Sequence, residues 1–303
     1  MTAPDHACSS ELAALLPSAS VEISSHGRQL PELREHFAPG IDVTITFLPG
    51  DNYRHNIETA TALRRTGFNP VPHIAAREMV SQPALDDFLA RLRGEADVTR
   101  ILLIAGDVAA AKGPFKSALD VCGSGLIEAH GITRLSMAGH PEGHPFLEQE
   151  HALRGLGAWR DWGRRTNIQV DIVTQFCFES GPILQWIAAL NAAAIDLPVI
   201  VGLAAPATPA TLTKFALRCG VGNSMRALRS QIGRFGRLLT DTGPDDVVRG
   251  LRVAPANATA SIVGFHLFPF GGLRKAGEWL CSHGAETQGQ FAQVAKGAGA
   301  QNP

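Results

Sequence analysis

Eight short runs of apolar and β-branched residues, separated by stretches with helical spacing, constrain this chain more than any other feature. They fall at residues 21–24, 43–47, 70–74, 101–104, 134–138, 170–176, 199–203 and 261–268. Continuous apolar runs of this length suit strands covered on both faces. Between them, Ile57, Ala60 and Leu63 share one side of a helix at 56–65. Leu85, Phe88, Leu89 and Leu92 form a second stripe, after Ser81 as a cap and Pro83 in the first turn, where proline removes no helical hydrogen bond. Thr208-Pro209 opens a third helix in the same way, and Gly220 and Gly222 stop it. Strand–helix alternation eight times over predicts an α/β fold, the (β/α)8 or TIM barrel. A doubly wound open sheet is the rival and usually has fewer strands. The long interval 204–260 predicts more than one helix between strands 7 and 8, including one at 224–239. The barrel domain is expected over 1–285, with 286–303, rich in Gly, Ala and Gln, as a loose tail.

A chain of 303 residues that is 45% hydrophobic and 18% charged has enough apolar matter for one large core. Its formal charge is -1, from 27 basic and 28 acidic residues. Nucleic acid and anionic membranes are therefore poor main partners, since both need clustered positive charge. The first ten residues lack the basic start and apolar stretch of a signal peptide. The most apolar segment, 187–207, is interrupted by Asn191, Asp196 and Pro198 and reads as a helix end followed by a buried strand. Five dispersed cysteines without a C-x-x-C pair point to reduced thiols and a cytoplasmic protein.

Chemistry in such a barrel sits at the carboxyl ends of the strands, so the polar residues there matter most. Glu22 lies inside the first run; desolvation would raise its pKa and suit a general acid, while the plain alternative is an edge-exposed carboxylate. His73 ends the third run, as a hydrogen-bonded structural histidine or a site residue. Asp107 follows Gly106 after the fourth run, where it fits a ligand contact or a turn. His140 and His144 have the i, i+4 spacing of a metal pair, but Pro141, Gly143 and Pro145 oppose the helix that would align them. No metal is expected there, and the segment reads as a ligand-gripping loop. Gln175, in the sixth run, is either a core amide or a donor–acceptor edge facing a heterocycle. Gly123-Ser-Gly125 lacks the third glycine and the strand–helix setting of a dinucleotide fingerprint. Neither a phosphate loop nor a nucleophile elbow is present. Arginines 226, 229, 234 and 237 read as a solvated helix face.

Taken in order, several segments resemble the methylenetetrahydrofolate reductase family. Ser20-Val21-Glu22-Ile23 is similar to its S-F-E-F strand, residues 43–47 to V-S-V-T-Y, Pro72-His73-Ile74 to P-H-L, and Gly106-Asp107 to the end of L-R-G-D. The two specific matches are residues 138–145, AGHPEGHP against A-G-Y-P-E-G-H-P, and residues 174–179, TQFCFE against T-Q-x-F-F-E/D. The resemblance spans roughly residues 20–270. It implies an FAD-bearing barrel of one-carbon metabolism and methionine biosynthesis. Such an enzyme passes a hydride from NADH or NADPH to the flavin and on to 5,10-methylenetetrahydrofolate, giving 5-methyltetrahydrofolate. Glu22 would be the acid that helps open the five-membered ring. Asp107 would tune flavin and pterin, and Gln175 would hold the tetrahydrofolate. Thr46, His73, Gly106 and His144 would contact FAD, with His140 at the family's tyrosine position. A homo-oligomer is expected.

The chain departs from the family where the flavin is gripped. The arginine before Gly-Asp is Ala105, and the basic L-K-x-K-V-x-A-G-A segment has become residues 162–168, in which Arg164 or Arg165 would replace the lost charge. No stacking aromatic stands out in the loop after the seventh strand. A flavin-free reductase or a folate-dependent methyl or one-carbon transferase on the same barrel is the alternative.

Overall fold

The computed structural model describes residues 12–143, 148–221, 241–259 and 261–283. Eight parallel strands close into a barrel in sequential order. They are β1 (Ser20–Ile23), β2 (Asp42–Ile45), β3 (Asn69–Ala75), β4 (Arg100–Ile104), β5 (Arg134–Gly139), β6 (Gln169–Thr174), β7 (Val199–Ala204) and β8 (Ile262–Phe268). All eight expected runs are strands, and the (β/α)8 barrel holds. The seam closes where Ser20 pairs with His266 and Val21 with Leu267.

The helices are α1 (Leu30–His36), α2 (Tyr53–Arg65), α3 (Gln82–Ala96), α4 (Ala118–Gly123), α5 (Leu126–Ala129), α6 (Gln149–Thr166), α7 (Ser180–Ala192), α8 (Pro209–Arg218), α9 (Asp245–Arg252) and α10 (Ala256–Thr259), and a further helix runs through 273–283. The expected caps form: the Ser81 hydroxyl accepts from the Ala84 N–H at 3.2 Å, and that of Thr208 from the Thr211 N–H at 3.3 Å. The interval between β7 and β8 carries α8, α9 and α10, as its length required. The helix expected at 224–239 and the tail at 286–303 lie outside the described residues. Among the described residues no helix is long and apolar enough to cross a membrane.

Strand alternation sorts the core into two parts. Val21, Ile45, Leu103, Leu135, Ile172, Val201 and Leu267 point outward under the helices. Val71, Leu102, Val173 and Ile200 form a separate apolar layer, the waist of the barrel interior. Near the strands' amino ends the interior is ionic. Arg100 reaches Asp42 at 2.5 Å, Ser136 at 3.1 Å and Asp171 at 3.1 Å, and Arg134 adds a contact to Asp171 at 3.2 Å. Buried carboxylates persist only when paired in this way. That network and the apolar waist close the barrel from one end and leave chemistry to the other.

Candidate functional site

Above the waist, toward the carboxyl ends, the interior turns polar again. Glu22 on β1 and His73 on β3 face one another, with Oε2 and Nε2 3.8 Å apart. One fifth of the Glu22 side chain stays exposed, toward the mouth, against 11% for His73. Burial pushes the Glu22 carboxyl up to about 7 and the His73 imidazole down to about 4. Both shifts have one cause, since leaving water disfavours whichever form is charged. Between about pH 4 and about pH 7 the pair is thus a neutral acid beside a neutral imidazole. The His73 Nε2 is buried without a hydrogen-bond partner among the described residues. Beside them, His266 on β8 is held by Ser20, with Nδ1 and Oγ 2.9 Å apart. Burial, then His73 and Arg100, lower it to about 3.

The rim over β2 to β5 is built by backbone. Thr46 follows β2; its N–H donates to the Ile23 carbonyl at 3.0 Å, and its hydroxyl is buried without a partner among the described residues. Gly106, after β4, has φ +93, and a Cβ there would lie 3.3 Å from that of Ala75. This left-handed turn is what glycine permits, and it carries exposed Asp107 over the rim. The loop after β4 is tied to the segment after β3: Arg77 N–H donates to the Ala105 carbonyl at 2.9 Å and Lys112 N–H to the Arg77 carbonyl at 2.8 Å. Lys112 Nζ also meets the buried Glu78 carboxylate at 2.5 Å, and Arg77 Nη2 donates to the Ala109 carbonyl at 2.5 Å. Lys112 is thus paired with a carboxylate, whereas Arg77 meets only a neutral carbonyl and its Nε is buried without a hydrogen-bond partner among the described residues. His140 opens a turn in which Gly143 N–H donates to the His140 carbonyl at 3.0 Å. Residues 140–143 form a turn rather than a helix.

Over β6 to β8 the rim is aromatic. Gln175 stands one residue past β6; its N–H donates to the Gly139 carbonyl at 2.7 Å and its Oε1 accepts from the Phe176 N–H at 3.1 Å. The β5 and β6 ends are joined by a hydrogen bond between the Cys177 thiol and the Glu142 carboxylate; burial, reinforced by Glu142, raises the thiol pKa. Buried Phe176 is ringed by Phe178, Phe268 and Phe270, edge to face at 5.6, 5.6 and 4.9 Å. Phe215 of α8 lies parallel to Phe270 at 4.1 Å. The Cys219 thiol, just beyond α8, is raised to about 11 by burial and then by Glu22, with Asp107 adding to the effect and Arg218 opposing it. Both carboxylates thus act on one thiol, which places the end of α8 at the mouth.

Glu22, His73, Thr46, Gly106, Asp107, His140 and Gln175 all stand at the carboxyl ends of their strands, around one opening. Arg164 and Arg165 do not. They occupy the last turn of α6, just before β6 begins, which is the amino end of the barrel, and Arg164 is bound to Asp196 at 2.6 Å. His144 lies outside the described residues. Sequence reasoning missed His266, Cys219 and the phenylalanine cluster. His266 had a readable signal, a histidine in an apolar run at i, i+2 to Phe268; the meeting of α8 with β8 had none.

No family model matches the chain. A protein from Clostridium thermocellum, described as binding two copies of 5-methyl-5,6,7,8-tetrahydrofolic acid, shares the fold at TM-score 0.57 and 12% identity, over 91% of this chain and 96% of that one. A dihydropteroate synthase from Thermus thermophilus aligns at TM-score 0.42 and 15% identity, over 88% of this chain and 92% of that one. The first likeness shows the barrel fold.

Proposed function

We propose that this chain binds a reduced folate in the carboxyl mouth and interconverts 5,10-methylenetetrahydrofolate and 5-methyltetrahydrofolate, with NADH or NADPH as the hydride source. The observation that carries this is Glu22, a carboxyl held near 7 by burial and still reachable from the mouth. The likeness to a barrel that binds 5-methyltetrahydrofolate supports it, as do the family-like AGHPEGHP and TQFCFE sequences, of which residues 138–143 and 174–179 follow β5 and β6 to the rim. In the reductive direction, Glu22 gives its proton to the departing ring nitrogen as the five-membered ring opens. The carbon left as an iminium accepts a hydride and becomes the methyl group. Overall, methylenetetrahydrofolate, NAD(P)H and one proton give methyltetrahydrofolate and NAD(P)+. A carboxyl poised near the working pH suits both giving that proton and regaining it. Asp107 accepts hydrogen bonds from the amino edge of the pteridine, and Gln175 offers its amide across the opening.

FAD, when bound, would supply the hydride relay. The residues present fit its ring better than its phosphates. Thr46 Oγ1 and His73 Nε2 are buried polar atoms without partners among the described residues, and Gly106 leaves backbone room beside them. Lys112, by contrast, is committed to Glu78, and Arg164 to Asp196 at the far end, which leaves Arg77, bonded only to the Ala109 carbonyl, as the one cation of that rim segment without a carboxylate among the described residues. Those commitments favour the second reading, a flavin-free reductase or a folate-dependent transferase on the same mouth.

The visible absorbance spectrum, taken before and after adding FAD, separates the two. Flavin bands bleached by NADH or NADPH and restored by methylenetetrahydrofolate support the flavin reductase. A colourless protein that ignores FAD yet binds 5-methyltetrahydrofolate supports the flavin-free reading. Binding of no folate in either state overturns both.

A further inference from the structure

A cavity of about 380 Å³ opens outside the barrel, between the loop after β1 and the upper half of α2. Its cause is a difference in helix length. α1 has 7 residues and α2 has 13, about 10 Å against about 20 Å of helix. On that side α1 leaves the upper flank of α2 uncovered, and the loop 24–29 stands there instead. The loop is tied down. Gln29 Oε1 accepts from the Ser24 N–H at 2.7 Å, the Ser25 hydroxyl donates to Asp51 at 2.7 Å, and the Thr59 hydroxyl of α2 donates to the Ser25 carbonyl at 2.8 Å. Gly27, at φ +62, brings the chain so near α2 that a Cβ would lie 3.0 Å from Thr59 Oγ1. The cavity is thus preformed, the usual state of a small-molecule site. None of the residues placed at the mouth lines it.

The lining carries opposite charges that do not meet. Arg28 comes from the loop and Glu58 from α2, and among the described residues neither side chain has an ion-pair or hydrogen-bond partner. His26 and His55 touch edge to face at 4.9 Å, and the His55 Nδ1 is buried without a hydrogen-bond partner among the described residues. Leu30 and Ala62 add apolar surface. We infer that this cavity binds a free α-amino acid with a large apolar side chain. The planar fork of Arg28 takes the carboxylate, Glu58 takes the ammonium, and the side chain lies on Leu30, Ala62 and the imidazole rings. A zwitterion answers both unpaired charges at once. A phosphate or a dicarboxylate would pair with Arg28 but set negative charge against Glu58, and a simple amine would do the reverse; each mismatch selects against that ligand. The volume lies at the small end of ligand pockets, which suits one small molecule rather than a peptide or a dinucleotide. The inference uses no residue of the mouth and stands apart from the folate reading.

The test is calorimetric titration of the full chain with L-phenylalanine and L-leucine, and with two analogues that each lack one charge, 3-phenylpropionate and phenethylamine. Both amino acids are expected to bind saturably, and each analogue at least about tenfold more weakly than L-phenylalanine. Arg28→Gln weakens L-phenylalanine by about tenfold and removes its advantage over phenethylamine. Glu58→Gln weakens it by a similar factor and removes its advantage over 3-phenylpropionate. Both positions are exposed, so the two variants should melt with the wild type. Wild-type protein that binds neither amino acid at millimolar concentration overturns the inference. So does an analogue that binds as tightly as L-phenylalanine, since one charge then suffices. A phenylalanine affinity unchanged in both variants overturns it as well, because the ligand then sits elsewhere.

Discussion

The Glu22 carboxylate lies 3.8 Å from the His73 Nε2, across the barrel from β1 to β3, and desolvation drives the two groups in opposite directions. An exposed Glu–His pair would be ionised on both sides at roughly pH 5 to 6. Here burial makes charge separation costly, so the proton stays on the carboxyl and the imidazole remains neutral. The barrel mouth thus offers a proton donor at a pH where ordinary carboxyls have long been ionised.

If Glu22 is the acid of ring opening, its protonated fraction governs the rate of reduction. With a pKa of about 7 in the free protein, kcat/KM for methylenetetrahydrofolate reduction is level below that value and falls about tenfold per pH unit above it. Glu22→Gln keeps the shape and a donor but has no proton to transfer. Its kcat drops by roughly 10²–10⁴-fold with folate affinity retained. A steady-state pH profile of both proteins decides this, and a variant with wild-type kcat would remove Glu22 from the mechanism.

The same shift has a stability consequence. Glu22 moves from 4.5 to about 7 on folding, so between those values the folded chain holds a proton that the unfolded chain has released. Stability from this group is therefore lost as pH rises from about 4.5 to 7, and Glu22→Gln escapes the loss. At ~1.4 kcal/mol per pH unit, less a discount for the exposed fifth of the side chain, the variant should be about 2–3 kcal/mol more stable than wild type at about pH 8. At about pH 4 the two should match. His73 and His266 act with the opposite sign. Their pKa values fall on folding to about 4 and about 3, so their contribution is lost as pH drops below about 6.5. Urea titrations across roughly pH 4 to 8 read both effects.

At the other end of the barrel, Arg100 is the cation shared by Asp42 and Asp171 inside the strands. Asp171 is only 3% exposed. Arg100→Leu leaves that carboxylate with only the partly exposed Arg134 as its cation and takes the partner from Asp42, and should cost about 3–5 kcal/mol. Arg100→Leu combined with Asp171→Leu removes both charges and should recover a large part of the loss. Urea midpoints of the two variants test this; equal destabilisation would show that packing, not the unpaired charge, is what Arg100 provides.

Much of this architecture is written in local signals. Alternation of apolar runs and helical stripes marks all eight strands because each strand is covered on both faces, by the helices outside and by the packed interior. Ser81 and Thr208 could be read as caps because capping is a contact within one turn. Glu22, Asp107 and Gln175 could be placed at the mouth because strand ends are local features too. The Arg100 network joins β2, β4, β5 and β6 through side chains far apart in the chain, and nothing near Arg100 in sequence names its partners. Arg164 misled for a related reason: its charge suggested a phosphate grip, but the length of α6 sets it at the amino end of the barrel. The phenylalanine cluster escaped notice because its rings come from α8 and the ends of β6 and β8, which meet only when the barrel closes.

Gly271 joins the two halves of that problem, stability and site. It sits between Phe270 and Gly272, against the loop that follows β7. A methyl group there would approach the Pro206 carbonyl oxygen to 2.1 Å and the Ala207 Cα to 3.1 Å, both backbone atoms that cannot swing aside as a side chain would. Gly271→Ala must therefore displace one loop or the other, at a cost of about 1–3 kcal/mol. Because the Phe270 N–H is bonded to the Phe268 carbonyl, a shift at residue 271 pulls on both rings and so reshapes the aromatic rim of the mouth. The variant should lose folate affinity as well as thermal stability. Gly250→Ala offers the comparison, since its methyl group would meet only the Ser180 side chain, 2.1 Å from Oγ, which can rotate away, and 2.8 Å from Cβ, which needs a small shift. It is expected to leave folate affinity intact and to lower the melting temperature less. Melting curves and folate titrations on the two alanine variants check this; an unchanged folate Kd in Gly271→Ala would show that the rings hold their places without the glycine.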